Sequence, residues 1–190
     1  MLMRTIEAFH QSFEKINIIV VLPTDQIQHW ESLCEDHNFD IEHKIVSGGL
    51  QRFDSVKNGL AEVPARDCTI GIHDGARPLI TPELIRRAFE HASENGSAIP
   101  VVPVTESLRQ LEGGGSRTVN RDEFRLVQTP QCFKAEVIKA AFETEYDASF
   151  TDEATVVEAN NTPVSLMDGD PQNIKITTQS DLELAEKLLS

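Results

Sequence analysis

The predicted architecture rests on the stretch Cys68-Thr69-Ile70-Gly71-Ile72-His73-Asp74-Gly75-Ala76-Arg77-Pro78. The apolar run 68–72 predicts a buried strand, and the charged turn after it carries Asp74 and Arg77. In an open parallel sheet, ligands bind at the loops that follow the carboxyl ends of the strands. In such a loop a carboxylate can hold a sugar hydroxyl or a metal ion, and an arginine can clamp a phosphate. An Asp-Gly turn with a surface ion pair would explain the same residues.

Apolar side chains along the rest of the chain alternate between short continuous runs, typical of buried strands, and a period of about 3.6 residues, typical of helices. Strands are predicted at 16–22, 43–46, 68–72, 97–102, 164–167 and 173–176. Helices are predicted at 2–14, 50–62, 81–96, 134–145 and 152–159, and others begin near residues 24 and 180. Short strands separated by helices indicate a single α/β domain over residues 1–190, with a doubly wound, mostly parallel sheet.

Residues 104–127 break this alternation and predict a polar hairpin. Two strands, 104–111 and 117–127, flank a glycine-rich tip at 112–116. A two-stranded hairpin alone is marginally stable in water, and this one has little apolar surface to bury. We therefore expect it to protrude and to pack against a second subunit as a dimerisation arm. A mobile surface flap is the alternative.

The composition argues against several classes of partner. A formal net charge of −14 leaves no basic stripe that could neutralise the phosphates of a nucleic acid. The longest apolar run is about five residues, far short of the ~20 that a membrane-spanning helix needs. The three cysteines, Cys34, Cys68 and Cys132, lack the spacing of a zinc site and indicate reduced thiols in a cytoplasmic protein.

A second glycine-rich strand exit lies upstream, at Gly48-Gly49. Two glycines let the backbone approach a planar ring closely, so that amides and carbonyls can contact a base edge. Arg52 and Ser55 lie one helical turn apart beyond them and can face the same cleft. An ordinary helix start is the competing interpretation, and the G-x-G-x-x-G pattern of a dinucleotide site is absent from these residues.

Two further segments carry polar side chains that could bind an anion. In Thr151-Asp152-Glu153-Ala154, Thr151 either caps a helix or binds a phosphate together with the free amides of that helix. In the run 173–176, Lys175 points away from the flanking isoleucines, so it either extends to solvent or serves an anion.

Six motifs occur in a fixed order along the chain. They are G-G-x-x-R-x-x-S-V-x-N-G-L at 48–60, H-D-x-x-R-P at 73–78, V-x-R at 119–121, T-P-Q at 129–131, T-D-E-A at 151–154 and N-I-K at 173–175. Together they closely resemble the 2-C-methyl-D-erythritol 4-phosphate cytidylyltransferases of the non-mevalonate isoprenoid pathway. The resemblance covers essentially the whole chain and implies a Rossmann-like fold of the nucleotide-diphosphosugar transferase type.

The resemblance implies a role for each matched position. The cytosine would be contacted by Gly48, Gly49 and Ser55, and the ribose and reacting phosphates by Asp74 and Gly75. The methylerythritol phosphate would be held by Arg77, Ser107, Arg121, Thr151 and Lys175. Of these, Arg121 and Lys175 would be catalytic because they orient the acceptor for attack, and Asp74 would be the ligand of a Mg²⁺ ion. The family usually has threonine at the position of Ser107. The arm would clasp a second subunit and make a homodimer.

The activity implied is the formation of 4-diphosphocytidyl-2-C-methyl-D-erythritol and pyrophosphate from CTP and 2-C-methyl-D-erythritol 4-phosphate. A cytidylyltransferase for another polyol phosphate, such as ribitol 5-phosphate, and a non-catalytic nucleotide-binding fragment are the alternatives. The family begins with a strand and a Gly-rich loop that wraps the triphosphate, and this segment is not found in residues 1–190. The segment is therefore either truncated from the chain or omitted from the sequence through a misplaced start codon, and we expect the 190-residue chain without it to have no useful activity.

Overall fold

A computed structural model describes residues 1–64 and 67–189. Its helices are α1 Leu2–His10, α2 Ile27–Asp36, α3 Arg52–Ala61, α4 Pro82–Asn95, α5 Ala135–Ala141, α6 Glu153–Ala159 and α7 Gln179–Leu189. Its strands are β1 Ile19–Leu22, β2 Lys44–Ser47, β3 Thr69–Ile72, β4 Ser97–Pro103, β5 Arg109–Glu112, β6 Gly115–Thr118, β7 Arg125–Val127, β8 Gln131–Lys134 and β9 Leu166–Asp168. Short 3-10 turns lie at Thr24–Gln26 and Arg121–Glu123.

The strands form an α/β architecture whose pairing is more mixed than the sequence predicted. β1 pairs with β2 in parallel, and β9 pairs in parallel with β4. The larger sheet runs in the order β3-β8-β4-β7, and all three of those pairs are antiparallel. The expectation of a mostly parallel sheet is therefore wrong for this part of the fold. No helix separates β4 from β7 and β8, and strands joined without a crossover helix pair antiparallel.

The arm is shorter than predicted. β5 and β6 form a separate two-stranded ribbon, with Leu111 opposite Ser116 and a tip at Gly113-Gly114, whose φ angles are 49° and 90°. Every residue of the two strands is exposed. The end of the predicted hairpin, β7, instead pairs with β4 in the larger sheet. The protruding part is therefore the β5–β6 ribbon and the loops beside it.

Residues 173–176 do not form the predicted strand. The segment begins with a tight turn, in which the Ile174 amide donates to the Gln172 carbonyl at 2.8 Å, and the amide of Ile176 donates to the carbonyl of Ala76 at 2.8 Å. The predicted alternation does hold, because Lys175 is exposed between two half-buried isoleucines. This segment therefore lies directly against the turn that follows β3.

The core lies between the larger sheet and the helices on its faces. Ile99 of β4, Phe133 of β8, Ile138 of α5 and Val157 of α6 are at most 1% exposed and belong to one apolar cluster. On the other face, α4 begins at the cap residue Thr81, whose hydroxyl accepts from the amide of Leu84 at 3.2 Å. Within the described residues, no helix is both long and apolar enough to cross a bilayer.

Candidate active site

Charged side chains from three separate segments meet at Asp74, in the turn after β3. Lys175 Nζ lies 3.1 Å from Asp74 Oδ2, and Arg77 Nε lies 3.4 Å from the same oxygen. From the first turn of α3, Arg52 Nη2 reaches Asp74 Oδ1 at 3.4 Å. We call Asp74, Arg52, Arg77 and Lys175 the Asp74 cluster.

Asp74 is ionised within this cluster. Burial alone would raise the pKa of its carboxyl group, but the neighbouring charges of Lys175, Arg52 and Arg77 outweigh burial and lower it. The Asp74 side chain is only 15% exposed, whereas that of Lys175 is 46% exposed. Three cations therefore stand around one partly buried carboxylate, with the lysine open to a ligand from solvent.

A second carboxylate, Glu153, holds Arg52 from the other side. Glu153 begins α6, its side chain is fully buried, and both of its oxygens accept from the Arg52 guanidinium, one of them at 3.1 Å. Burial raises the pKa of Glu153, and the hydrogen bonds and charge of Arg52 oppose that rise. The pair Arg52–Glu153 thus fixes the direction from which Arg52 approaches Asp74. A two-point Arg–carboxylate contact of this kind sets both position and orientation.

The backbone of the turn is held by Thr129, the residue after Gln128 in the loop between β7 and β8. The Asp74 amide donates to Thr129 Oγ1 at 3.1 Å, and His73 Nδ1 lies 3.0 Å from the same oxygen. Burial lowers the pKa of His73 to about 4, so its imidazole is neutral at neutral pH. His73 Nε2 lies 3.3 Å from the Arg77 carbonyl, which can only accept. This assigns the proton to Nε2, so that the Thr129 hydroxyl donates to Nδ1.

The glycine pair at the end of β2 packs against the start of α3. The Gly49 amide donates to Ser55 Oγ at 3.1 Å, and the Gly48 amide donates to the Leu22 carbonyl at 2.7 Å. A Cβ on Gly49 would lie 2.2 Å from the Cβ of Asp54, a distance that side chains do not adopt. The close turn therefore requires glycine, and it brings Ser55 and Arg52 to the same end of α3 as the glycine amides.

Comparison with known proteins settles the family. The model of the 2-C-methyl-D-erythritol 4-phosphate cytidylyltransferase family matches residues 1–190. The chain belongs to this family. The enzymes of that name from Bacteroides fragilis and Bacteroides thetaiotaomicron are 52% and 50% identical to it over 188 residues, which are 99% of this chain and 85% of each relative.

Solved structures give the same result for the fold. The 4-diphosphocytidyl-2C-methyl-D-erythritol synthase from Anaerococcus prevotii superposes with a TM-score of 0.86 at 26% identity, covering 99% of this chain and 85% of that one. The cytidylyltransferase from Thermus thermophilus superposes with a TM-score of 0.77 at 31% identity, covering 97% and 86%. The Rossmann-like nucleotidyltransferase fold is therefore confirmed.

This member of the cytidylyltransferase family is an enzyme of isoprenoid biosynthesis that transfers a cytidylyl group from CTP to 2-C-methyl-D-erythritol 4-phosphate. The names of its relatives favour this acceptor over the other polyol phosphates considered from the sequence. These matches do not test the expectation of a truncated chain, and they do not support the alternative of a non-catalytic fragment.

Only some of the site residues predicted from the cytidylyltransferase motifs lie at the Asp74 cluster. Gly75 is an exposed residue of the same turn as Asp74, and Thr151 is exposed immediately before α6. The cap of α6 is Asp152, which accepts from the Thr155 amide at 2.9 Å, so the alternative in which Thr151 caps the helix is wrong. The Thr151 hydroxyl makes no hydrogen bond to another of the described residues.

Two predicted acceptor residues lie on the arm side of the molecule. Ser107 is exposed in the loop before β5. Arg121 is exposed in the turn before β7, where it donates to the Thr105 carbonyl and its Nε lies 4.0 Å from an Asp122 carboxylate oxygen. In the described part of this single subunit, neither residue has a hydrogen bond or ion pair to the Asp74 cluster.

The sequence did not single out Glu153 or Thr129 as site residues, although both lie inside quoted motifs. The Arg52–Glu153 contact joins positions 101 residues apart, and the Asp74–Thr129 contact joins positions 55 apart. Nothing local in either motif signals such a contact. Within residues 1–64 and 67–189, no group of three or more His, Cys, Asp or Glu side chains could hold a metal ion by itself.

Proposed function

We propose that the Asp74 cluster is where the acceptor phosphate and the reacting phosphates of CTP meet. The observation that carries this proposal is that Arg52, Arg77 and Lys175, from three different motifs, all point at one carboxylate within 3.4 Å. Without a ligand, the carboxylates of Asp74 and Glu153 balance part of the positive charge of these three side chains. A phosphate entering beside the half-exposed Lys175 gains charge-assisted hydrogen bonds from cations that are already in place.

The nucleoside part of CTP binds next to this cluster in our proposal. Gly48, Gly49 and Ser55 contact the cytosine, and the adjacent turn residues Asp74 and Gly75 contact the ribose and the phosphates. The requirement for glycine at position 49 supports this assignment, because a close approach of backbone to a flat ring needs the same absence of side chain. The acceptor is held by Arg77, Ser107, Arg121, Thr151 and Lys175.

The reaction is an in-line displacement. A phosphate oxygen of methylerythritol phosphate attacks the α-phosphorus of CTP, a new P–O bond forms, and the bond from that phosphorus to the β-phosphate oxygen breaks. Pyrophosphate leaves with the electron pair of the broken bond. The protein supplies no nucleophile. Its contribution is to orient the acceptor and to stabilise the charge that develops, and Lys175 and Arg121 carry that role in our proposal.

Asp74 fits a Mg²⁺ ion that arrives with the triphosphate. Mg²⁺ in such sites commonly takes one or two carboxylates together with substrate phosphate oxygens. Asp74 meets this requirement because its carboxylate is ionised and remains partly exposed. When bound, the ion would neutralise phosphate charge and so assist departure of pyrophosphate.

We further propose that the enzyme is a cytoplasmic homodimer joined through the arm at 104–127. Leu111 of the β5–β6 ribbon is 83% exposed, so no described residue of its own subunit covers this apolar side chain. Phe124, just before β7, and Leu126, within β7, are also exposed, at 44% and 55%. Covering these side chains with a second subunit would stabilise an otherwise marginal ribbon and would bring Ser107 and Arg121 to the partner's Asp74 cluster.

The experiment is to incubate the protein with CTP, Mg²⁺ and methylerythritol phosphate and to follow product and pyrophosphate by ³¹P NMR. A parallel reaction contains ribitol 5-phosphate. We expect the diphosphate signals of the cytidylyl product with the first acceptor and a rate at least tenfold lower with the second. Equal rates would contradict the proposed acceptor site.

The role of Arg121 is tested by Arg121→Ala, with Arg86→Ala, an exposed arginine of α4 outside the arm and the proposed site, as a control. Loss of one charged contact at a reacting centre commonly costs about 10²–10³-fold in rate. We expect that loss for Arg121→Ala and a normal rate for the control. A normal rate for both variants would remove Arg121 from the site.

A further inference from the structure

Gln128, which no motif assignment uses, clamps the loop that leads to Lys175. It follows β7 directly and is 5% exposed. Its side-chain Nε2 donates to the Asp170 carbonyl at 2.7 Å and to the Asn173 carbonyl at 3.3 Å. Its Oε1 accepts from the Asp170 amide at 3.1 Å. The buried Gln128 side chain therefore hydrogen-bonds both the amide and the carbonyl of Asp170, and also the carbonyl of Asn173, three residues further along the loop.

The fit between Gln128 and this loop is tight. A Cβ on Gly169 would lie 2.5 Å from Gln128 Oε1 and 3.2 Å from the Val101 carbonyl. Both segments are also tied to β4, since the Gln128 amide donates to the Pro100 carbonyl at 2.8 Å and the Gly169 amide to the Val101 carbonyl at 2.9 Å. Gln128 thus links the loop after β9 to the backbone of β4, which holds that loop in place.

Lys175 is held between two sets of such anchors. On its N-terminal side, the Asn173 carbonyl accepts from Arg77 Nη1 at 2.8 Å, and Asn173 Nδ2 donates to the Thr129 carbonyl at 2.8 Å. On its C-terminal side, the Ile176 amide donates to the Ala76 carbonyl. The Lys175 side chain is itself half exposed, so packing does not fix it. Its reach to Asp74 therefore depends on the backbone anchors.

We propose that Gln128 is a positioning residue that holds the 170–175 segment so that Lys175 meets the reacting phosphates. This inference rests on the role proposed above for Lys175. Without the clamp, the segment would sample other backbone positions, and the lysine would reach the transition state in only a fraction of enzyme–substrate complexes. The chemical step would then slow, whereas CTP binding through the β2–α3 glycines would not change.

The test begins with Gln128→Met, which keeps the length of an unbranched side chain and removes all three hydrogen bonds. We expect kcat to fall about tenfold, within the range of coupling among residues that share a hydrogen-bond network, and KM for CTP to stay within about twofold. The control is Ser97→Ala, which removes a partly buried hydrogen bond of 2.9 Å from the Ser165 amide at the other end of the β4–β9 pair. Its kcat should be normal, because it does not touch the clamped segment.

The deciding measurement is a double-mutant cycle with Lys175→Ala. If Gln128 acts through Lys175, Gln128→Met should cost less than about twofold in kcat once the lysine is gone. The same tenfold loss in both backgrounds, or a normal kcat for Gln128→Met alone, would overturn the clamp while leaving the role of Lys175 intact. A normal kcat for Lys175→Ala would instead overturn the proposed function of the lysine, and the clamp with it. If Gln128→Met does not fold, Gln128→Glu, which keeps the acceptor for the Asp170 amide, enters the same cycle.

Discussion

The buried Arg52–Glu153 pair predicts an unequal response to removal of its two partners. Glu153 is fully buried, whereas the Arg52 side chain is 42% exposed. Arg52→Met would leave a carboxylate in the interior without its cation. Removal of one partner of a buried pair costs about 3–5 kcal/mol, and the exposure of Arg52 places our expectation at about 3 kcal/mol. Glu153→Gln keeps an acceptor for the guanidinium and leaves Arg52 free to use solvent and Asp74, so it should cost about 1 kcal/mol.

The assay is reversible thermal or urea unfolding of both variants at pH 7 and pH 5. For a chain of this length, 1 kcal/mol shifts Tm by about 2–4 °C, so Arg52→Met should lower Tm by roughly 6–12 °C at pH 7. In that variant Arg52 no longer opposes the effect of burial, so the pKa of Glu153 in the folded state stands above its unfolded value. The folded state then binds more protons, so the loss of stability should shrink as pH falls towards 5.

Equal losses for the two variants would contradict this account of the pair. So would a loss for Arg52→Met that is the same at both pH values. Either result would mean that Glu153 is not buried in the charged form, and that Arg52 is not held from the side opposite Asp74.

Three other predictions follow from local geometry. Gly49→Ala should lower Tm and weaken CTP binding in calorimetric titration because its Cβ would meet Asp54 at 2.2 Å, whereas Gly115→Ala, with the nearest atom at 3.6 Å, should do neither. Replacement of residues 109–118 by a short turn should convert a dimer into a monomer in sedimentation, and a dimer that persists would exclude the arm as the interface. Asp181 accepts from two backbone amides before α7, which lowers its pKa to about 2. Asp181→Asn should therefore lower Tm at pH 7, and the difference should shrink as pH falls below 4, because the carboxylate stabilises the fold only while it is ionised in the native state.

The sequence predicted those parts of the site whose geometry is local. Asp74 and Arg77 are three residues apart in one turn after a short apolar run, so their ion pair follows from the strand exit itself. The glycine turn and Ser55 are equally local, since they join the end of β2 to the start of α3. Lys175 came from a motif, and the alternation of residues 174–176 placed its side chain correctly on the side away from the core.

Long-range contacts could not be predicted in the same way. In the sequence, Glu153 is an acidic residue at a helix start, and only the folded chain brings it within hydrogen-bonding distance of Arg52, which begins α3. Strand β8 was missed because its four residues follow Pro130 and run directly into α5, without the alternation or length that marks a strand. That strand takes part in two of the three antiparallel pairs of the larger sheet, β3–β8 and β4–β8, so missing it accounts for most of the error in pairing. The third pair, β4–β7, forms because the end of the predicted hairpin returns to β4.

The most direct test of the central claim is the steady-state rate of pyrophosphate release by Lys175→Ala at saturating CTP and methylerythritol phosphate. The matched control is Lys15→Ala, which removes an exposed lysine outside the described site. If the Asp74 cluster is where the phosphates react, kcat for Lys175→Ala should fall by about 10²–10³-fold with an unchanged Tm, and the control should match the wild-type rate. A kcat within twofold of wild type for Lys175→Ala would contradict the placement of the reaction at Asp74.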